Sequence, residues 1–160
     1  VIRLATGTSA IDREFKELWK KNMDAIGVRM TFQQGKFADH LKAAKACQLM
    51  MWGAAWLADY PDGENFMQLL YGPNTGQSNN GCYESKAFDE FYRKARAMPP
   101  DRPERNRLFI DMTRQMEVDG AWSMHVSRER NQMIRPWVKG YKKHPILHGE
   151  WLYMDLEPRN

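Results

Sequence analysis

The segment whose residue types could do chemistry runs from Trp52 to Asp62 and reads WGAAWLADYPD. An apolar run leads into a carboxylate, Asp59, then an aromatic residue, a proline and a second carboxylate. If the run is a strand of an open α/β sheet, Asp59 follows its carboxyl end, which is where ligands bind in such folds. A carboxylate there can pair with a cation on a ligand, and exposed strand backbone can hydrogen-bond an extended peptide. One interpretation of the segment is therefore a binding site.

A structural interpretation of the same residues is also open. Trp52 and Trp56 are four residues apart, which would place both on one face of a strand and so in a core. Asp59 and Asp62 are also typical of turns and helix caps. The residue types alone favour this second interpretation slightly.

Motifs for catalysis are absent from the sequence, which has no GxSxG, HExxH, P-loop or GxGxxG pattern. His144 and His148 have a helical spacing, but Pro145 disfavours a helix there, so the pair is not a predicted metal site. We predict a protein that is not an enzyme and that has no metal and no cofactor. Turnover of a peptide or ester that depends on His125 or Cys82 would contradict this prediction.

The composition is that of a folded globular domain. A chain of 160 residues, 42% hydrophobic and 28% charged, forms one domain or one lobe of a larger protein. The net charge of +4 is concentrated between residues 128 and 148, where six basic residues stand against Glu129. Because no nucleic-acid-binding motif accompanies these residues, a solvated face or an interdomain contact is favoured over nucleic acid. We expect neither a membrane-spanning segment nor a signal peptide within the numbered chain.

Alternating strands and helices are predicted for the first third of the chain, which indicates an α/β domain with a parallel sheet. The predicted elements are a strand at 1–5, a helix at 11–26 with Ser9 as N-cap and Gly27 at its end, a strand at 28–33, a helix at 37–46 and a buried central strand at 48–56. A loop-rich segment at 57–84 contains one short helix around Phe66. Two amphipathic helices follow, the first from Ser85 and the second from a capping box of Asp101 and Glu104, and then two short strands at 122–126 and 132–134.

Two cysteines, Cys47 and Cys82, lie 35 residues apart and fit no metal-binding pattern. They are either two buried thiols or one disulfide. A disulfide closing such a loop would contribute roughly 3–4 kcal/mol in the chain-entropy model. The sequence alone leaves the two states open.

From Trp56 to Phe66 the sequence resembles the extracellular solute-binding proteins of family 5, the dipeptide- and oligopeptide-binding components of ABC importers. The family's phrase is a strand ending in tryptophan, then Ala-Asp-Tyr, a turn and Asn-Phe. Later segments resemble the elements that follow in the family, in the same order: Tyr83 with Ser85–Phe91, which includes Asp89, then Arg105–Met116, Ala121–His125 and the closing phrase Arg135–Tyr141.

The resemblance implies an α/β fold, one lobe of a two-lobed type II periplasmic-binding-protein fold with a mixed sheet flanked by helices. Residues 1–134 would be the C-terminal ligand-binding lobe, and residues 135–160 a tail that recrosses to the other lobe. The aromatic residues Trp137 and Trp151 would then pack on that missing N-terminal lobe. Family members are longer proteins that close on a ligand and present it to a membrane permease in the periplasm or outside the cell.

For individual residues, the resemblance implies that Asp59 pairs with the α-ammonium group of a peptide. Ala55, Trp56 and Leu57 match the strand whose backbone borders the ligand, and Tyr60 adjoins it. Asn79 and Asn80 are candidate residues for the rim of the pocket.

Some family members have a disulfide-bonded cysteine where Leu57 stands, so the pattern departs from the family here. The exported family makes a disulfide between Cys47 and Cys82 the favoured alternative. Because other members bind nickel chelates, haem, sugars or opines, a non-peptide solute is an alternative ligand. A docking module without a small ligand is a further alternative.

Overall fold

The first third of the chain alternates between strands and helices, as the hydrophobic pattern predicts. The computed structural model describes residues 1–127, 129, 131–144, 146 and 149–157. Its first elements are β1 (Ile2–Thr6), α1 (Ala10–Ala25), β2 (Met30–Gln34), α2 (Phe37–Lys45) and β3 (Met51–Trp52). The three strands are parallel in the order β2-β1-β3, with Leu4 opposite both Phe32 and Met51. This arrangement confirms the predicted α/β class.

Helix α1 begins and ends where its local sequence predicts. Ser9 Oγ accepts the backbone N–H of Asp12 at 3.1 Å, and the Asp12 carboxylate accepts the backbone N–H of Ser9 at 2.9 Å. This reciprocal capping box satisfies two backbone donors that the first turn of a helix leaves without partners. Gly27 follows the helix with φ of +74°, a conformation that glycine adopts without steric cost.

The prediction of a central strand at 48–56 is wrong both in the length of the strand and in its place in the sheet. Only Met51 and Trp52 form β3, and they pair with Leu4 and Ala5 at an edge of the sheet, whereas β1 is the central strand. β1 ends one residue after Ala5, so the chain beyond Trp52 has no ladder to join. Hydrophobic content predicted a strand buried on both faces, but a strand extends only as far as its hydrogen-bonding partner does.

A disulfide between Cys47 and Cys82 joins the end of α2 to the loop that precedes the next long helix. Their Cα atoms are 5.7 Å apart, within the range that an undistorted disulfide spans. Both cysteines have a left-handed backbone, with φ of 56° and 52°. The structure thus confirms the disulfide and resolves the alternative that the sequence left open.

The second part of the chain is helical and contains the largest buried cluster. Its elements are α3 (Glu64–Met67), a short 3₁₀ turn at Gly72–Asn74, α4 (Lys86–Arg96) and α5 (Pro103–Val118). Helices α4 and α5 pack against each other, and the cluster between and beside them comprises Leu70, Phe88, Tyr92, Ala95, Met112 and Met116. The predicted start of α4 at Ser85 is confirmed, and Ser85 is its N-cap, since Ser85 Oγ accepts the backbone N–H of Phe88.

The capping box predicted for α5 is wrong. The N-cap residue is Arg102, which makes no side-chain capping bond, and Pro103 occupies the first turn. Proline suits that position because its missing N–H would have no partner in the helix and its φ is already helical. Asp101 therefore lies one residue too early to cap α5.

The strands predicted at 122–126 and 132–134 are also wrong, since residues 121–127 and 131–134 contain no strand. No strand among the described residues pairs with either segment. Further on, β4 (Val138–Lys139) pairs antiparallel with β5 (Asp155–Leu156), and a 3₁₀ turn covers Glu150–Tyr153. Gly140 has φ of +74°, and a Cβ there would clash with the carbonyl oxygen of Tyr153. His148, part of the histidine pair considered above, lies outside the described residues, as do Arg128 and Arg130 of the basic segment.

Much apolar surface is uncovered. No residue of α1 is buried, and the apolar residues Ile11, Phe15, Leu18 and Ile26 are each more than half exposed. The chain exposes 12,400 Å², whereas a compact monomer of its mass, 18.8 kDa, exposes about 8,300 Å². None of the helices in the described part of the chain is long and apolar enough to span a membrane.

Candidate functional site

The segment that follows β3 folds into a turn organised around the buried side chain of Asn65 in α3. Asn65 Oδ1 accepts the indole N–H of Trp56 at 2.8 Å and the backbone N–H of Asp59 at 3.1 Å. Its Nδ2 donates to Asp59 Oδ2 at 3.3 Å. The Asn65 side chain is fully buried, whereas Asp59 is exposed. One amide group thus holds the tryptophan ring, the backbone and the carboxylate of this turn.

A second contact fixes the turn to helix α5. Both terminal nitrogens of Arg105 donate to the carboxylate of Asp62 at 2.9 Å, and Arg105 Nε donates to the carbonyl oxygen of Ala95 at 3.0 Å. The bidentate hydrogen bonds from Arg105 hold the pKa of the Asp62 carboxyl below its ordinary value. Asp62 Oδ1 also accepts the backbone N–H of Glu64 at 2.8 Å, so the start of α3 and its Asn65 are anchored to α5.

A third contact orients Tyr60. The hydroxyl groups of Tyr60 and Tyr92 both donate to the carboxylate of Glu64, one to each oxygen. Partial burial, reinforced by the hydrogen bond to Glu64, raises the pKa of Tyr60, and the same two causes raise the pKa of Tyr92. Both phenols are therefore neutral donors at physiological pH. Tyr92 also stacks on Tyr71, with ring centroids 4.3 Å apart.

The five predicted ligand-binding residues are all exposed to solvent. Ala55, Trp56, Leu57, Asp59 and Tyr60 are all exposed, with Trp56 43% and Leu57 52% accessible. The backbone groups of residues 54–57 make no hydrogen bond to any other residue that the structure describes. An exposed carboxylate side chain thus lies next in the chain to a stretch of peptide backbone that the described residues leave without hydrogen bonds.

The two candidate rim residues lie elsewhere and differ from each other. Asn79 is fully buried, and its amide bonds the backbone of Tyr71 and Tyr83 within the loop, so its side chain is not available to a ligand. Asn80 is half-buried; its Nδ2 donates to the carbonyl oxygen of Ser78 and its Oδ1 is buried without a hydrogen bond. Neither hydrogen-bonds to the residues of the Asp59 turn.

Concave surfaces among the described residues lie apart from this turn. One is an open cleft of about 400 Å³ lined by Gly72, Glu84, Ser85, Lys86 and Asp89. Another is an apolar groove of about 470 Å³ in the tail, lined in part by Ile134, Val138 and Trp151. The described residues contain no group of three histidine, cysteine or acidic side chains that could hold a metal ion.

Sequence reasoning missed the residues that position the site. Asn65 stands within the segment that resembles family 5, but no function was assigned to it, and Arg105 was read only as part of a helix. No short-range pattern indicated Asn65, because the partners of its side chain, Asp59 and Trp56, lie six and nine residues earlier, beyond the spacing of local side chain–backbone bonds. Arg105 is 43 residues from Asp62, and no local pattern connects the two.

The fold defines the class: it is the α/β fold found in periplasmic peptide-binding proteins. The structure superposes with a TM-score of 0.77 on the periplasmic binding protein DppA from Helicobacter pylori in complex with the peptide STSA, at 20% identity, over 98% of this chain and 31% of that protein. No protein-family model matches the chain.

Two curated relatives are similar to the chain in sequence. The chain is 26% identical over 158 residues to Di/tripeptide-binding protein 2 of Pseudomonas aeruginosa, which is 98% of this chain and 30% of the relative. It is also 26% identical over 135 residues to Heme-binding protein A of Haemophilus influenzae, covering 84% of this chain and 24% of that protein. The chain therefore spans less than a third of the length of these relatives. The resemblance to the solute-binding proteins of family 5 is confirmed.

Proposed function

We propose that this chain is part of the ligand-binding lobe of a solute-binding component of an ABC importer, with a di- or oligopeptide as its ligand. The single observation that carries the proposal is the exposed carboxylate of Asp59, held by a buried amide beside peptide backbone that makes no hydrogen bond to a described residue. A peptide offers the complementary groups, a terminal ammonium and a backbone of alternating donors and acceptors. The relatives' names support the same ligand class.

In this proposal each residue has a distinct role. Asp59 pairs with the α-ammonium group, and the backbone of Ala55 and Leu57 bonds the peptide backbone. Trp56 and Tyr60 provide flat surfaces on either side of that contact. Binding involves no chemical change: two lobes close about a hinge, and the closed form delivers the ligand to a membrane permease.

The complete protein would contain the N-terminal lobe that this chain lacks, and the uncovered surface supports this part of the proposal. The apolar face of α1 and the exposed Trp151 would pack on the remainder of the protein, residues 1–134 forming the lobe and residues 135–160 the tail that recrosses. We place the protein in the periplasm or outside the cell, where its disulfide would persist.

The first test is mass spectrometry of whatever co-purifies with the full-length protein and is released by denaturation. A series of short peptides would support the proposal. A single non-peptide mass, such as that of haem, would agree with a transport function but with a different class of ligand, as the haem-binding relative suggests. An empty protein that also fails an affinity screen with peptides would favour a docking module instead.

The second test replaces the carboxylate of Asp59. We expect Asp59→Asn to weaken a peptide with a free amino terminus about 10- to 100-fold, the worth of a hydrogen bond to a charged group. Affinity for the N-acetylated peptide should not change, because it has no ammonium group. Asp101→Asn is the matched control, since it removes an exposed carboxylate outside the turn. Equal losses for both peptides would contradict the role of Asp59.

The third test uses the 160-residue chain by itself. It should bind peptides weakly, because one lobe supplies only part of the burial and of the polar contacts. Micromolar binding by this chain alone would contradict a site shared between two lobes.

A further inference from the structure

Asn65 has more specific contacts with the Asp59 turn than a residue that only fills space would make. Three hydrogen bonds of its side chain go to Trp56 and Asp59, and they use both the carbonyl oxygen and the amide nitrogen. The side chain is fully buried although the turn around it is exposed. A buried amide left without partners costs free energy, so the turn that satisfies this one is favoured over alternatives.

The pattern of donors fixes the direction of the Asp59 carboxylate. Asn65 Oδ1 already accepts two N–H groups, which leaves its Nδ2 pointing at Asp59 Oδ2 at 3.3 Å. A carboxylate has two oxygens, and one of them is occupied in this way. The other, Oδ1, has no hydrogen bond to a described residue, and Asp59 as a whole is exposed.

Asn65 is anchored to the helical part of the chain. It lies on α3, whose first N–H group, that of Glu64, donates to the Asp62 carboxylate, and Asp62 is bound by both terminal nitrogens of the largely buried Arg105. These contacts connect the amide to α5 as well as to the exposed turn. Side chains that hold a binding group from behind in this way reduce the entropy lost when a ligand binds.

We infer that Asn65 is a positioning residue that orients the Asp59 carboxylate and thereby sets the preference for ligands with a free ammonium group. This inference rests on the function proposed above and adds the residue that determines the selectivity of its site. Asn65 does not touch the ligand in this arrangement. It acts through Asp59, and its effect must disappear when Asp59 cannot bind a cation.

The test is a double-mutant cycle in the full-length protein, read as the ratio of affinities for a peptide with a free amino terminus and the same peptide N-acetylated. We expect Asn65→Ala to lower this ratio about five- to tenfold, as expected for the loss of one oriented charged hydrogen bond. In the Asp59→Asn background, Asn65→Ala should leave the ratio unchanged. A residue that only stabilises the fold would lower both affinities equally and leave the ratio as it was.

The matched control is Asn74→Ala, which removes an amide that donates to the carbonyl oxygen of Gln68 at 3.0 Å, away from the turn. It should leave the ratio unchanged. An equal fall in the ratio for Asn74→Ala and Asn65→Ala would overturn the inference.

A second measurement needs neither a variant nor a ligand. In the unmodified protein, hydrogen exchange followed by NMR should show slow exchange at the Trp56 indole N–H and the Asp59 amide N–H, which Asn65 accepts. Fast exchange at both would overturn the inference even if Asn65→Ala does not fold. The failures are distinguishable: slow exchange without peptide binding defeats the proposed function alone, and peptide selectivity that survives Asn65→Ala defeats this inference alone.

Discussion

Replacing Asp62 by asparagine should destabilise the protein far more than a position in a surface turn suggests. Asparagine keeps the shape but not the charge, and Arg105 then has a buried cation without its counter-ion. The Arg105 side chain is only 8% exposed, and Asp62 is 21% exposed. Removing one partner of a buried pair costs about 3–5 kcal/mol, and the partial exposure of Asp62 places the expected loss at the low end, about 3 kcal/mol. Such a loss is a large part of the 5–15 kcal/mol that typically stabilises a domain, as an order-of-magnitude comparison.

The assay is urea unfolding of the full-length protein, followed by tryptophan fluorescence. Glu90→Gln is the matched control, because Glu90 pairs with Lys94 at 2.7 Å but both side chains are more than half exposed. That variant should lose no more than about 0.5 kcal/mol. If the two variants lose the same free energy of unfolding, the assignment of Asp62 and Arg105 as a buried, stabilising pair is refuted.

The dependence of stability on pH provides a second test of the pair formed by Asp62 and Arg105. Arg105 holds the pKa of Asp62 below the ordinary value of 3.8 in the folded protein, while the unfolded chain has the ordinary value. The unfolded state therefore binds the proton more readily, and the contribution to stability is complete above that value and is lost as the pH falls below it. The difference in stability between the unmodified protein and Asp62→Asn should be constant near neutral pH and shrink below about pH 4. A difference that grows with acid would contradict this sign.

Three further predictions concern other parts of the structure. Cys82→Ser should lower the free energy of unfolding by about 3–4 kcal/mol. A reductant should lower the free energy of unfolding of the unmodified protein by the same amount and leave that of the variant unchanged. If a reductant does not change the stability of the unmodified protein, the disulfide between Cys47 and Cys82 is contradicted. Ser9→Ala should cost about 1 kcal/mol and reduce helical circular dichroism, because the box with Asp12 is lost; unchanged ellipticity and stability would show that α1 does not depend on its cap. Phe88→Ala should cost about 3–5 kcal/mol in urea unfolding, since its side chain is fully buried in the helical cluster, and a loss below 1 kcal/mol would mean that this core can collapse around the cavity.

The elements that sequence reasoning placed well are those whose causes are local. Helix α1 has its apolar spacing, its capping residues and its terminal glycine all within twenty residues of chain. Helix α4 is similar, with Ser85 at its start and a proline pair beyond its end. In both cases the interactions that define the ends connect residues a few positions apart, which the sequence displays directly.

The elements that it placed badly depend on partners distant in sequence. The strand expected at 48–56 is reduced to Met51 and Trp52 because the neighbouring strand ends, and the strands expected at 122–126 and 132–134 do not form. Alternating hydrophobicity describes only the faces of a strand, not the ladder beside it.

The candidate site also has residues that the sequence indicates and residues that depend on distant partners. Resemblance to a family indicated Asp59 and its neighbours, and the disulfide between Cys47 and Cys82 that the sequence left open is present. Asn65 and Arg105 were missed, although they hold the turn in place. They act through contacts that form only once α3 and α5 pack.

By itself, the sequence determined the α/β class, the caps of α1, the start of α4, and the segment in which the candidate site lies, since all of these follow from residue types at short spacing. Only the tertiary structure decided that Asp59 is exposed while Asn65 is buried, and that the backbone of residues 54–57 has no hydrogen-bonding partner among the described residues. The physical reason is that burial and hydrogen bonding belong to pairs of groups, and the pairs that matter here are brought together by packing rather than by sequence separation. Arg105 on α5 reaches Asp62 across 43 residues, and through it the helical core holds an exposed turn in one conformation.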